Sequence, residues 1–177
     1  RESLRNGEIN ERKKLSISRT SNFRTNCVHR TKLSRTNLSH SKIRSMSTSY
    51  AVVIEKFAER HYIAKFKKKY KNAWDVTWNA IDEHFKRIES LIGVNNIVEI
   101  ITDAGDIKIC KTEFRIAGPG KSRHASGNRC IIAIKKSTAV VHVLLVYCKG
   151  DIGGSNETAS WKAIIRGNYP EYRNILQ

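Results

Sequence analysis

The sequence has no long apolar run. Its longest, residues 140–147, is interrupted by His142, whereas a bilayer-crossing helix needs about 18 apolar residues or more. A membrane-spanning role is therefore not expected. The first residues carry no apolar stretch either, so no secretory signal is expected. No C-x-x-C pair occurs among Cys27, Cys110, Cys130 and Cys148, which argues against a clustered zinc site. Three of the four stand in apolar, strand-like surroundings, as small buried thiols do in a reducing, cytoplasmic setting. Acidic residues are also scarce. The 177-residue chain has 16 Asp and Glu against 33 Lys and Arg, a formal charge of +17. An excess of that size points to nucleic acid, an anionic membrane surface or an acidic protein as partner. An ordinary solvated surface explains the same charge without any partner.

Methionine is scarcer still, with Met46 alone. Residues 1–45 are dense in Ser, Thr, Asn, Arg and Lys, hold 12 basic and 3 acidic residues, and show no apolar period. Such a segment cannot bury enough surface to offset the entropy of ordering it. It is expected to be a basic disordered leader. Three readings stay open: sequence upstream of a start at Met46, an organellar transit peptide, or a nucleic-acid-binding arm. Residues 46–177 are expected to form the folded domain.

Within that domain, residues 50–57 read as a strand with Val52, Val53 and Ile54 inside it. Residues 58–70 read as a helix, with Tyr62, Phe66 and Tyr70 four apart and Lys65, Lys67, Lys68 and Lys69 on the other side. Residues 73–92 carry the strongest helical period, through Trp74, Trp78, Ile81, Phe85, Ile88 and Ile92. Asn72 is the candidate N-cap and Gly93 the stop. Strands follow at 96–102 and 107–116, joined by an Asp103-Ala-Gly105-Asp106 hairpin. After a Gly/Pro/Ser loop at 118–127 come strands at 128–136 and 139–148, joined at Ser137-Thr138. The last is apolar on both sides, as a central strand is. A short helix at 157–166, capped by Asn156, ends the pattern. The fold class is therefore α+β. It has an antiparallel, mixed-edge sheet of about four to five strands, two N-terminal helices and one C-terminal helix, with the helices on one face.

The densest chemistry lies in 107–149. It holds nine basic residues and a single acid, Glu113. Lys111 and Arg115, an even number apart, share one face of a regular strand. Arg129 opens the next strand and Lys149 ends the one after it. Neighbouring strands lie about 4.8 Å apart, so these cations can converge, and cations without carboxylate partners form a phosphate site. Lys108, Lys121, Arg123, His124 and Lys135 extend the RNA-binding set. The alternative is a scattered, solvated surface. Gly120-Lys-Ser122 is not a P-loop, because Arg115 stands where the first Gly is needed. Its glycines suit a mobile loop that brings Lys121, Arg123 and His124 to a phosphate. His124 can serve there as a base, or be an ordinary exposed histidine. His61, His84 and His142 read as structural. Trp74 and Trp78 read as core, although both rings can also stack on bases. No cofactor or metal is called for.

Three segments carry a family resemblance: Lys111-Thr-Glu-Phe-Arg115, Ser126-Gly-Asn-Arg129-Cys-Ile-Ile132 and Leu145-Val-Tyr147-Cys-Lys149. With the element order, they make residues 46 to about 165 resemble the RelE/HigB-like toxins of bacterial toxin–antitoxin pairs. The resemblance implies a RelE-like fold and metal-independent cleavage of mRNA on the ribosome, inhibiting translation, with a cognate antitoxin as partner. Transferred by position, Arg129 and Arg115 would hold the phosphate, and Lys111 or Lys149 would assist proton transfer. A non-catalytic basic RNA-binding or protein-interaction module, or a gyrase-type toxin of the same superfamily, remains the alternative.

Overall fold

The computed structural model describes residues 48–94, 96–118 and 120–177. The expected leader, its boundary at Met46, and Cys27 lie outside them. The chain forms five strands: β1 (Ala51–Ile54), β2 (Val98–Ala104), β3 (Ile107–Phe114), β4 (Asn128–Lys135) and β5 (Val140–Cys148). The helices are α1 (Lys56–Ala58), which runs through a π-helical stretch Glu59–Ile63 into α2 (Ala64–Tyr70), then α3 (Asn72–Lys86) and α4 (Glu157–Asn168). The class is α+β, as expected. The strands lie in the order β1-β5-β4-β3-β2. All neighbours are antiparallel except β1 with β5, so the sheet is mixed at one edge.

The expectation that fails is helices on one face. β4 is buried at every position from Asn128 to Ile134. Its alternate residues enter two separate cores, and each core needs a cover. Cys130, Ile132 and Ile134 pack with Ile63 and Phe66 and with Trp74, Ile81 and Phe85 of α3. Ile131 and Ala133 point the other way and pack with Trp161 and Ile165 of α4 and with Tyr169, Tyr172 and Leu176 beyond it. The sequence signal was the unbroken run Cys130-Ile-Ile-Ala-Ile134, which cannot have a wet side. Trp161 is fully buried, and removing a side chain of that size costs about 3–5 kcal/mol.

Other boundaries move for local reasons. α3 stops at Lys86, and the apolar period continues through a 3-10 turn, Ile88–Leu91. Asn72 is the first helical residue and no cap. Lys71 takes the N-cap place at φ 46°, without a side-chain cap bond. The β4–β5 connection is a four-residue turn, 136–139, with Ala139 at φ 49°. Asn156 does cap α4, accepting from the Ala159 N–H at 3.4 Å. The β2–β3 turn is Gly105-Asp106, with Gly105 at φ 76°. Trp74 is buried and Trp78 stacks on it, 5.9 Å between ring centroids. Cys110 and Cys130 are buried free thiols, and Cys148 is half-buried. No helix among the described residues is long and apolar enough to cross a membrane.

Candidate nucleic-acid interface

The sheet register places Glu113 opposite Arg129, and Arg129 opposite Tyr147. Lys111 stands two residues from Glu113, opposite Glu99 of β2. This end of β2–β5 is where the sequence reading sets its site. The cations there are not free. Arg129 is nine-tenths buried, with 8% of its side chain exposed. Its Nη2 lies 3.0 Å from Glu113 Oε1 and its Nε 4.0 Å from Glu157 Oε1. Its Nη1 donates to the Asn128 carbonyl at 3.2 Å. Glu157, from the first turn of α4, also accepts from the Tyr147 hydroxyl at 2.7 Å and lies 3.8 Å from Lys149 Nζ. Burial first, then the Glu157 bond, pushes the Tyr147 phenol well above its ordinary range. Lys111 Nζ is 2.8 Å from Glu99 Oε2. Lys111, Arg129 and Lys149 thus meet Glu99, Glu113 and Glu157, and the cluster is neutral. The expected convergence of cations without carboxylate partners does not occur. The partners Glu99 and Glu157 come from β2 and α4, outside the 107–149 window.

Breaking a buried ion pair costs about 3–5 kcal/mol. Arg129 therefore cannot turn to a phosphate without stranding two carboxylates. What it does is hold Glu113. The second oxygen of Glu113, Oε2, lies 3.1 Å from Nδ1 of His124, whose side chain is 87% exposed. In the neutral ring, the Glu113 contact favours the tautomer with its proton on Nδ1 and the lone pair on Nε2.

The loop that presents His124 is tied down. The Ser126 hydroxyl sits 2.6 Å from the Phe114 carbonyl and 2.7 Å from the Arg123 carbonyl, donating to one at a time. The Ser126 N–H bonds to the Ser122 carbonyl at 2.9 Å, and the Ala117 N–H donates to Thr77 Oγ1 of α3 at 2.8 Å. Within the glycine loop, residues 122–126 form a turn held by these bonds. It walls a cleft of about 590 Å³ lined by Asn96, Glu99, Lys111, Glu113, Ser122, Arg123 and His124.

Arg115 follows the end of β3 rather than sharing its face with Lys111. It lines a second cleft, of about 670 Å³, against Val76, Thr77, Ile81 and His84 of α3. Burial, then Arg87 and Arg123, lowers the affinity of His84 for a proton. Lys121 is exposed on the same loop. Lys108 and Lys135 lie at the other end of the sheet. Six residues at about 3.3 Å each separate Lys135 from Arg129, and Lys108 is paired with Asp103 at 3.0 Å. His142 is bound to Glu55 at 2.8 Å, and exposed His61 packs against Phe57 with the rings tilted, 4.7 Å between centroids.

Glu113, Glu99 and Glu157 are the residues that sequence reasoning missed. Glu113 was findable, because it is two residues from Lys111 on an alternating strand. The other two needed the register and the path of α4.

No family model matches the chain, and no curated protein matches it. Among solved structures, the chain is similar to one from the archaeal RelE–RelB complex of Pyrococcus horikoshii. The identity is 16% and the TM-score 0.40, over 58% of this chain and 97% of that one.

Proposed function

We propose that this protein is a metal-independent endoribonuclease, a RelE-like toxin that cuts mRNA on the ribosome in the cytoplasm and is held in check by a cognate antitoxin. The observation that supports cleavage is the Glu157–Arg129–Glu113–His124 chain, which ends in an oriented, solvent-facing imidazole at a cleft that also holds Lys111 and Arg123. RNA carries its own nucleophile. Neutral His124 takes the 2′-hydroxyl proton through Nε2. The 2′-oxygen bonds to phosphorus as the bond to the 5′-oxygen breaks, and the leaving oxygen collects a proton from the Lys111 ammonium or from water. Lys111 and Arg123 offset the charge that grows on the phosphorane. Lys149 and Arg115 stand outside this set, as rim contacts to flanking phosphates. The antitoxin rests on the sequence resemblance.

The test is RNA incubated with the protein in excess chelator, free and on translating ribosomes. Cleavage should leave 2′,3′-cyclic phosphate ends, and His124→Ala should slow it by about 10²–10⁴. Intact RNA in both settings would overturn the proposal. A second reading, a non-catalytic RNA-binding module, is favoured by the neutrality of the sheet-end cluster. It wins if RNA binds, is never cut, and His124→Ala changes nothing.

A further inference from the structure

The cations without partners are elsewhere. On α2 and at its end, Lys65, Lys67, Lys68, Lys69 and Lys71 occupy five of seven positions, and all five are exposed. Among the described residues, none of them has a carboxylate within 4 Å. Lys69 is held in its charged form first by its hydrogen bond to Tyr70, with Asp151 a lesser influence. We infer that α2 is a phosphate-backbone docking surface for RNA, separate from the sheet-end cleft.

Three observations carry the inference. First, Lys65, Lys68 and Lys69 are three and four apart, so they stand on one helical face and repel one another, which costs an isolated helix stability. The carboxyl-end dipole of α2 welcomes one or two cations, but five exceed what it can use. Second, Lys71 sits at φ 46° and ψ −127°, a backbone region that glycine adopts easily and a lysine does not. The fold gains nothing from a side chain there. Third, aromatic rings are interleaved. Lys65 Nζ lies 5.6 Å from the centre of the half-buried Tyr62 ring, and Lys69 Nζ 5.1 Å from that of Tyr70. Cations spaced along one face beside ring faces suit a single strand, whose phosphates meet the ammonium groups while a base meets a ring. Ammonium groups held out in water meet phosphates of any sequence, so the surface reads backbone and not bases.

The inference does not depend on cleavage, and the probe is chosen accordingly. A 20-nucleotide 2′-O-methyl RNA lacks the 2′-hydroxyl nucleophile and cannot be cut. Its binding to the full chain is followed by fluorescence anisotropy across a salt series. The Lys65→Gln/Lys67→Gln/Lys68→Gln/Lys71→Gln variant is expected to bind at least tenfold more weakly. Its dependence of log affinity on log salt should flatten by about 0.7 for each phosphate that is no longer neutralised. A control that removes equal charge elsewhere, Lys86→Gln/Lys136→Gln/Lys162→Gln/Arg166→Gln, should keep its slope within about 0.7 of the parent's. Lys71→Gly alone should raise the melting temperature while weakening binding, which separates recognition from folding. The N-terminal residues are common to all four proteins, so their own affinity for RNA cancels. Equal weakening in the control variant, an unchanged slope in the α2 variant, or tighter binding to phosphatidylserine vesicles or polyglutamate than to the RNA would each overturn the inference. Failure of the parent protein to cut ordinary RNA, with the α2 variant's slope flattened as expected, would count against the endoribonuclease reading alone.

Discussion

Two basic regions of this molecule differ in what their cations touch. At the end of the sheet, Lys111, Arg129 and Lys149 are each matched by a carboxylate, and Arg129 is buried with two. On α2 and just past its end, five lysines stand in water with no such match among the described residues. Similar residues therefore do opposite work. Buried between Glu113 and Glu157, Arg129 is part of the frame. Left unpaired on a helix, lysines repel one another and invite a partner. Local charge density does not separate the two cases; the location of the acids does.

The comparison can be broken most directly at Glu157. Glu157→Ala takes a carboxylate from buried Arg129 and the acceptor from the Tyr147 hydroxyl. It should destabilise the fold by about 3 kcal/mol in urea denaturation, and a loss under about 1 kcal/mol would show that Arg129 is not held as described. Glu113→Gln should come next. It keeps the shape of the side chain but removes the charge facing Arg129 and His124, at a cost of about 2 kcal/mol. Exposed pairs should matter less. Lys111→Gln, whose partner Glu99 is largely exposed, should cost no more than about 1 kcal/mol. On α2 the sign should reverse. Lys68→Gln should be neutral or stabilising by about 0.3 kcal/mol, because it relieves repulsion; a clear loss of stability would mean the lysines serve the fold.

The smallest effect is a pH dependence. The folded state depresses the pKa of His84 below 6.5, so the unfolded chain binds that proton more readily. Stability attributable to this group is complete above 6.5 and declines as the pH falls through the folded value. Melting temperatures between about pH 5 and 7.5 should show a shallow rise that His84→Asn flattens.

How much of this could be read in the sequence follows from the range of the interactions. The α3 period, the Gly105-Asp106 hairpin, the Asn156 cap and the five strands are local patterns, and each is in place. The second core was written in residues 130–134 but needed the absence of any polar alternate to be taken at face value. The site was legible by half. Arg129, Lys111 and His124 do gather at one end of the sheet, whereas Lys108 and Lys135 lie at the other end. Distance along a strand, not proximity in sequence, decides that. The neutralising carboxylates were hidden because Glu99 and Glu157 reach the cluster through strand register and through the return of α4. The lysines of α2 were visible from the start, but their freedom could only be seen once the sheet-end cations had found their acids.

The parallel edge between β1 and β5 has a consequence for synthesis. β1 is the first described strand of the chain to be made, yet its partner comes late, and Glu55 just after it meets His142 across 87 residues. Contacts so distant in sequence slow folding, because the intervening loop must close before they form. On the ribosome, β1 and its helices must wait, with their apolar sides uncovered, until β5 has emerged. The nascent chain is thus without its finished sheet, and without the Arg129–Glu113 frame that would aim His124, until β4 and β5 have been made.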